Sequence, residues 1–378
     1  MNKKLIIVAP NSYKECANSV KAANLIETSL HKYLNENKST EYEFIKKPIS
    51  DGGDGFLEVC DFYFGTKEIS MEISLPWGKG KFKCSVAYSE KNKSVFIESA
   101  KVLGLALIPP GKRQPLRLNS KGLGELLFSL NELKNSGEIK FDKIVIGIGG
   151  TGTSDLGIGA CSAFGMKLIN KEGDVLSPFP ENFNGIHQII WEKPEFDFVI
   201  KTIIDVENPL LGPNGANYVF AKQKGASDSE MQILENGFKN ILAKTGAQAD
   251  TVLSGAGGGL SAGLKLFFGA EEIYAEDFIK NELGINNKNL SPQILITGEG
   301  KFDVQTYMNK GAAIVINEFK NSGCEIFVIA GSSENKSEDF HIIELIEFFE
   351  NEEESIKQFE KGIDFACKKI AESYFLES

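Results

Sequence analysis

Short apolar runs, each followed or opened by a block of glycine, aspartate and asparagine, recur along the whole chain and narrow what it can fold into. Eight such blocks stand out: Ala9–Lys14, Ser50–Gly55, Ser120–Glu125, Gly147–Asp155, Asp205–Leu210, Gln223–Ala226, Gly255–Gly259 and Thr297–Asp303. Apolar runs too short for helices, alternating with amphipathic stretches, are the signature of a largely parallel sheet with crossover helices. Leu5–Ala9 reads as a buried strand and Ser19–Leu34 as a helix, with Val20, Ala23, Leu25, Ile26, Leu30 and Leu34 near helical spacing. Glu43–Lys47 and Phe56–Phe64 repeat the pattern, so the first 64 residues form a βαβα unit. Glycine in the intervening turns lets backbone amides approach an anion closely, and the neighbouring carboxylates can hold a cation or accept a proton.

Between Thr66 and Phe96 the texture becomes that of a small antiparallel sheet or meander, with Met71–Leu75, Lys81–Ala87 and Val95–Ile97 alternating with turn signals. Lys143–Gly147, Val199–Asp205, Ile294–Thr297 and Glu325–Ala330 read as further buried strands, and Ser355–Tyr374 as a closing amphipathic helix with Ile356, Phe359, Ile363, Ala366 and Ile370 on one stripe. The last strands share the style of the first unit. The expected architecture is therefore α/β with two α/β domains. Residues 1–64 plus 290–378 form a Rossmann-like open parallel sheet, and residues 65–289 form an inserted α/β domain carrying the small antiparallel sheet. The active site is expected in the cleft between them.

Bulk properties exclude several partners. A chain of 378 residues is long enough for two cores. A net charge of -11 argues against nucleic acid, which needs clustered Lys and Arg. The six cysteines form no CxxC pair, which reads as reduced thiols in a cytoplasmic protein. Leu5–Ala9 is too short for a signal peptide, and no run of 18 apolar residues exists to span a membrane.

The blocks carry the chemistry. Gly147-x-Gly149-x-x-Gly152 matches the dinucleotide fingerprint, with Asp174 at the distance of a ribose-binding acid. The hydroxyls and carboxylate of Thr151, Thr153, Ser154 and Asp155 suit phosphate and Mg²⁺ as well, and structural glycine is a third reading. There is no G-x-x-x-x-G-K-[ST] loop and no HRD/DFG pair, so phosphoryl transfer would need another scaffold. Asp51 and Asp54 flank a glycine turn at a strand end, fitting a metal ligand, a general base, or merely a cap and turn. Glu299, Lys301, Asp303 and the following Lys310 repeat that chemistry with added cations. Asn11, Ser12 and Lys14 follow the first strand, where α/β sheets collect ligands. Asp205 and Asn208 end another strand, and Gly255–Gly259 fits either a phosphate cradle or close helix packing. His31, His187 and His341 lie outside every block, so a Ser-His-Asp hydrolase has no support.

Taken in order, these blocks resemble the bacterial glycerate kinase family of the first class. Its Ala-Pro-Asp-Ser-Phe/Tyr-Lys opening appears as Ala9–Lys14, and its Ala-Asp-Gly-Gly-Glu-Gly block as Ser50–Gly55. Its Ile-Glu-Met-Ala and Pro-x-x-Arg-x-Pro-Leu segments appear as Ile97–Ala100 and Pro110–Leu116. Ser120–Leu126, Gly147–Asp155, Asp205–Leu210, Gln223–Ala226 and Thr297–Thr306, followed by Lys310, complete the match. Asn11 stands for the family's aspartate, Ser154 for asparagine, Leu156 for glycine, Lys301 for arginine, and Leu118-Asn119 for a Thr-Thr pair.

The resemblance implies ATP-dependent phosphorylation of a glycerate hydroxyl, with 2-phosphoglycerate as product and Mg²⁺ as companion. It places Lys14, Arg113, Asn11, Ser12, Asn208, Asp303 and Lys310 around the substrate. Asp51, Asp54 or Asp205 would act as base, with Asp51 and Asp205 toward the metal. Gly149, Gly150, Thr151, Thr153, Ser154, Asp155, Gly257, Gly258 and Glu299 would attend the nucleotide, and Lys301 and Lys310 would balance developing charge. The partners implied are glycerate and ATP, on a monomer or homodimer. Two rivals remain at this level: an NAD-dependent oxidoreductase using the Gly147–Gly152 turn, and a non-catalytic sensor of an acid metabolite.

Overall fold

Strands rich in Ile and Val pair in parallel only where helices cover both faces, and that requirement shapes both halves of this chain. The structure is a computed structural model, and it describes residues 3–34, 41–246, 253–286, 288, 290–302, 311–334 and 337–375. In chain order the strands among these are β1 Lys3–Val8, β2 Glu41–Lys46, β3 Lys67–Ser74, β4 Lys81–Ser89, β5 Ser94–Glu98, β6 Lys143–Gly147 and β7 Lys167–Ile169. They continue as β8 Val175–Leu176, β9 Gln188–Ile190, β10 Val199–Ile204, β11 Glu271–Tyr274, β12 Ile294–Phe302, β13 Glu325–Ser333 and β14 His341–Glu344. The chain divides into two units, Met1–Tyr63 with Ala275–Ser378, and Phe64–Tyr274.

The first unit is built on a five-stranded sheet of order β14-β13-β12-β1-β2 with every neighbouring pair parallel. Ile6, Ile7 and Val8 are fully enclosed, as a central strand covered on both faces demands. Ile6, Val8, Ile294, Ile296, Phe327 and Ile329 pack with Ala22, Ala23, Ile26 and Leu30 of the helix Ser19–Leu34. Ile363, Ala366 and Ile370 of the helix Phe359–Ile370 join the same core. The expected closing helix is not continuous. It breaks at Gln358 (φ -106°, ψ 31°) between Glu352–Lys357 and Phe359–Ile370, and the break takes Ile356 off the buried stripe to 36% exposure.

The second unit carries a six-stranded sheet of order β11-β10-β6-β5-β4-β3. Its β5, β6, β10 and β11 are parallel, whereas β3, β4 and β5 pair antiparallel. The expected small antiparallel sheet is thus the edge of a larger one. A hairpin joins β4 to β5, but β5 reaches β6 only through a long crossover containing the helix Lys121–Asn135, and such a crossover returns the chain parallel. The pattern gave no hint of the separate antiparallel sheet β8-β7-β9, whose strands have two or three residues each. Among the described residues no helix is long and apolar enough to cross a membrane.

Candidate functional site

In the first unit the chain leaves β1 in both directions across the sheet, toward β2 on one side and β12 on the other. Ligands of open α/β sheets bind beyond the carboxyl ends of strands at such a reversal. There the loop after β1 follows β12: the amides of Ala9 and Asn11 donate to the carbonyls of Ile296 and Gly298 at 2.8 Å, and Thr297 Oγ1 donates to the Ala9 carbonyl at 2.7 Å. Asn11, 6% exposed, donates from Nδ2 to Asp51 Oδ2 at 3.3 Å. Asp51 Oδ1 also accepts the Gly53 amide at 3.2 Å, fixing the turn after β2. Glu299 belongs to the same cluster, because a methyl built on Gly311 would stand 2.6 Å from Glu299 Oε2 and 2.8 Å from Asn11 Nδ2. Gly311, at φ 48°, is glycine for that reason. Below them Tyr13 is buried and donates to the Ile329 carbonyl at 2.7 Å; burial first, and the charge of Glu299 second, push its phenol well above the usual range.

In the second unit the loops after β6 and β10 and the turn 255–259 pack on one another. The Gly255 amide donates to the Asn208 carbonyl at 2.7 Å, and the Leu210 amide to the Leu253 carbonyl at 2.9 Å. Gly257, Gly258 and Gly259 are all left-handed, with φ 65°, 70° and 85°. The amides of Gly258 and Gly259 both return to the Gly255 carbonyl at 3.2 Å, so the turn closes on itself and presents bare α-carbons to its neighbours. A methyl on Gly257 would lie 2.5 Å from the Ile148 side chain. One on Gly258 would lie 2.5 Å from both Lys224 Nζ and the Thr153 carbonyl oxygen, and 2.8 Å from Ser154 Oγ.

Asp155, expected to face the cofactor, turns inward. Its Oδ2 accepts Ser120 N and Oγ at 2.7 Å and Gly159 N at 3.0 Å, and Oδ1 accepts Gly157 N at 3.3 Å. Burial raises its pKa against those hydrogen bonds. The carboxylate is therefore a bolt that shapes the loop. The glycines of the Ser120–Glu125 block serve packing too, since a methyl on Gly124 would collide with the Ala160 carbonyl and one on Gly122 would come within 2.5 Å of the Ser74 carbonyl. Thr153 and Ser154 are fully buried, and neither Thr153 Oγ1 nor Ser154 Oγ has a hydrogen-bond partner among the described residues. Thr151 spends its hydroxyl on the Ile148 carbonyl at 2.7 Å and Ser99 Oγ at 3.2 Å. Gly149 and Gly150 form the solvent-accessible tip of the loop.

The remaining expected residues are scattered. Ser12 is half-buried, Lys14 and Asp54 are exposed, and Asp205 is half-buried at the end of β10. Arg113 donates from Nε to its neighbour's carbonyl at Ile108 (3.0 Å), and Asn208 donates to the Asn214 carbonyl at 2.9 Å. Lys301 pairs with Glu334 at 2.6 Å on the surface. Asp303 and Lys310 lie outside the described residues. Asp174 sits in the turn between β7 and β8, hydrogen-bonded to Asn170 at 3.2 Å, a surface position that gives the dinucleotide reading nothing. Among the described residues no group of three or more His, Cys, Asp and Glu is placed to hold a metal ion. Asp51 and Asp205 stand in different units. Asn11, Asp51 and Glu299 nonetheless offer hard oxygen donors, and Mg²⁺ ordinarily takes only one or two carboxylates beside substrate phosphates. The residue passed over in the sequence is Lys224, 3% exposed, which donates from Nζ to the Thr153 carbonyl at 2.6 Å. Its place in the Gln223–Ala226 block marked the turn; nothing marked the burial of its ammonium.

Glycine turns at the ends of parallel strands, buried hydroxyls with no partner among the described residues and a buried ammonium form an arrangement suited to anions, and acids gathered at a sheet reversal one suited to a cation or a proton. Known proteins resemble this chain along nearly its whole length. The glycerate kinase family matches residues 6–374. Glycerate 2-kinase of Escherichia coli K12 is 32% identical over 335 residues, covering 86% of this chain and 85% of that protein. A glycerate kinase of Bacillus cereus is 28% identical over 380 residues, 97% of each. A crystal structure of a candidate glycerate kinase 2 from Salmonella typhimurium LT2 superposes with a TM-score of 0.77 at 26% identity, over 100% of this chain and 99% of that one. The chain therefore belongs to the glycerate kinase family.

Proposed function

We propose that this protein transfers the γ-phosphoryl group of ATP to a hydroxyl of D-glycerate, releasing ADP and 2-phosphoglycerate. The observation that carries the reading is the family match over nearly the whole chain, which includes a relative bearing the name glycerate 2-kinase. Kinase chemistry needs positioned phosphates, charge neutralisation and a proton acceptor. In the second unit, the loop of Gly149, Gly150, Thr151, Thr153 and Ser154, backed by Gly257 and Gly258, is assigned to the nucleotide phosphates. In the first unit, Asp51, oriented by Asn11 and the Gly53 amide, is assigned to the substrate hydroxyl or to Mg²⁺, with Glu299 beside it. Mg²⁺, when bound, would neutralise phosphate charge. Lys14 and Arg113 are assigned to the glycerate carboxylate, and Asp54, Asp205, Ser12, Asn208, Asp303 and Lys310 to supporting roles around the reactants.

The test is coupled ADP release with D-glycerate, L-glycerate, lactate and tartronate, with products identified by phosphorus NMR. D-glycerate should be preferred, its 2-phosphate should form, and chelation of divalent cations should abolish turnover. A phosphorus signal from the 3-phosphate would overturn the product assignment, and NADH binding without ADP release would overturn the reaction. Asp51→Asn should lower kcat by about 10²-fold or more, as expected for loss of a general base or charge ligand; turnover within about threefold of the parent chain would remove Asp51 from the chemistry.

A further inference from the structure

The second unit encloses a lysine side chain that none of the assigned roles uses. Lys224 lies in the turn after the helix Ala216–Val219, and its ammonium is buried with one hydrogen-bond acceptor among the described residues, the Thr153 carbonyl at 2.6 Å. An ammonium has three donors, and enclosing one with so few partners costs several kcal/mol unless charge is returned from elsewhere. Around it the chain has been cleared. Gly258 can only be glycine, because its φ is 70° and a methyl there would stand 2.5 Å from the Thr153 carbonyl oxygen as well as from Nζ. Ser154 Oγ and Thr153 Oγ1 lie in the adjoining loop with no partner among the described residues. The far side of the same loop, Gly149 and Gly150, is open to solvent.

We propose that Lys224 is a positioning residue of the anion-binding loop: its ammonium bolts Thr153 against the Gly255–Gly259 turn and supplies the buried positive charge that draws a phosphate group to the loop. Naming that phosphate as ATP's rests on the function proposed above; the anion site itself does not. Burial pushes the Lys224 pKa down to about 7, with Asp155 acting in the opposite direction. Asp155 reaches it from the 149–155 loop. Lys222 on its own turn is exposed, the 255–259 turn has no titratable group, and Arg113 packs on the turn at Gly225, its carbonyl oxygen 2.7 Å and its Cβ 3.7 Å from a methyl built there. An anion bound over the loop favours the protonated form, so binding takes up a proton above neutral pH.

Sulfate, which does not titrate in this range, is the probe. Isothermal titration of the full chain at pH 8 in buffers of different ionisation enthalpy should register uptake of roughly one proton per sulfate, with affinity falling as pH rises. Lys224→Met, verified as folded by circular dichroism, should lose both the uptake and about tenfold or more in sulfate affinity. In turnover it should raise the KM for ATP by about tenfold while leaving the KM for glycerate within about twofold. Sulfate binding without proton uptake in the parent chain, or a folded Lys224→Met with unchanged sulfate affinity and unchanged KM for ATP, would overturn the proposal. A parent chain that takes up a proton with sulfate yet releases no ADP from ATP and glycerate would uphold Lys224 and sink the kinase reading instead.

Discussion

Glycine at position 258 and lysine at 224 explain one another. Only an α-carbon without a side chain leaves room for the ammonium beside the Thr153 carbonyl, and only a left-handed turn, φ 70°, brings that α-carbon there. Gly258→Ala therefore combines left-handed strain with a collision, and should destabilise the chain by at least ~1–2 kcal/mol in urea unfolding. The lysine has a pH signature of its own. Its folded pKa, about 7, lies below the usual 10.5, so between those values the unfolded chain binds more protons and stability rises with pH. The slope from this group approaches about 1.4 kcal/mol per pH unit within that window. Lys224→Met should remove that increment, measured as the difference between variant and parent in denaturant unfolding at pH 7.5 and 9.5; parallel pH profiles would refute it. Leu156 is a cost of another kind. It sits at φ 52°, fully buried, holding a conformation that leucine occupies at a cost of about 1–2 kcal/mol.

At the level of elements, local patterns were legible where one periodicity held throughout. The helices Ser19–Leu34 and Phe56–Phe64 and the strand Lys143–Gly147 begin and end where the spacing places them. The reading failed where a long-range partner intervened: the closing helix breaks at Gln358, and the supposed meander becomes the edge of a six-stranded sheet because β5 pairs with β6, forty-odd residues away. The helix Asp228–Thr245 starts with a full capping box, in which the Ser227 hydroxyl accepts the Glu230 amide and Glu230 returns to the Ser227 amide at 2.8 Å. Ser227→Ala should cost about 1 kcal/mol, and Ser227→Asp should restore most of it, as read from the unfolding midpoint. An unchanged midpoint in the alanine variant would mean that the cap contributes nothing.

For the whole molecule, chain order and spatial order part company. The central strand β1 of the first unit has β2 on one side and β12, nearly three hundred residues on, on the other. A fragment of residues 1–63 thus lacks the strand that covers one edge of β1, and should remain largely unfolded by circular dichroism. The continuous segment 64–274 contains every strand of its own two sheets and a large apolar core, and should unfold cooperatively when expressed alone. Cooperative folding of 1–63, or a structureless 64–274, would contradict this division. By itself the sequence determined the α/β class, most strands and helices, and the glycine blocks that make up the family's pattern, since periodicity and turn chemistry are written in neighbouring residues. Only the tertiary structure decided which glycines admit a neighbour and which form a loop's open tip, that Asp155 faces inward, and that Lys224 is enclosed. Burial and charge pairing arise between residues far apart in sequence, and no local pattern encodes which of them will meet.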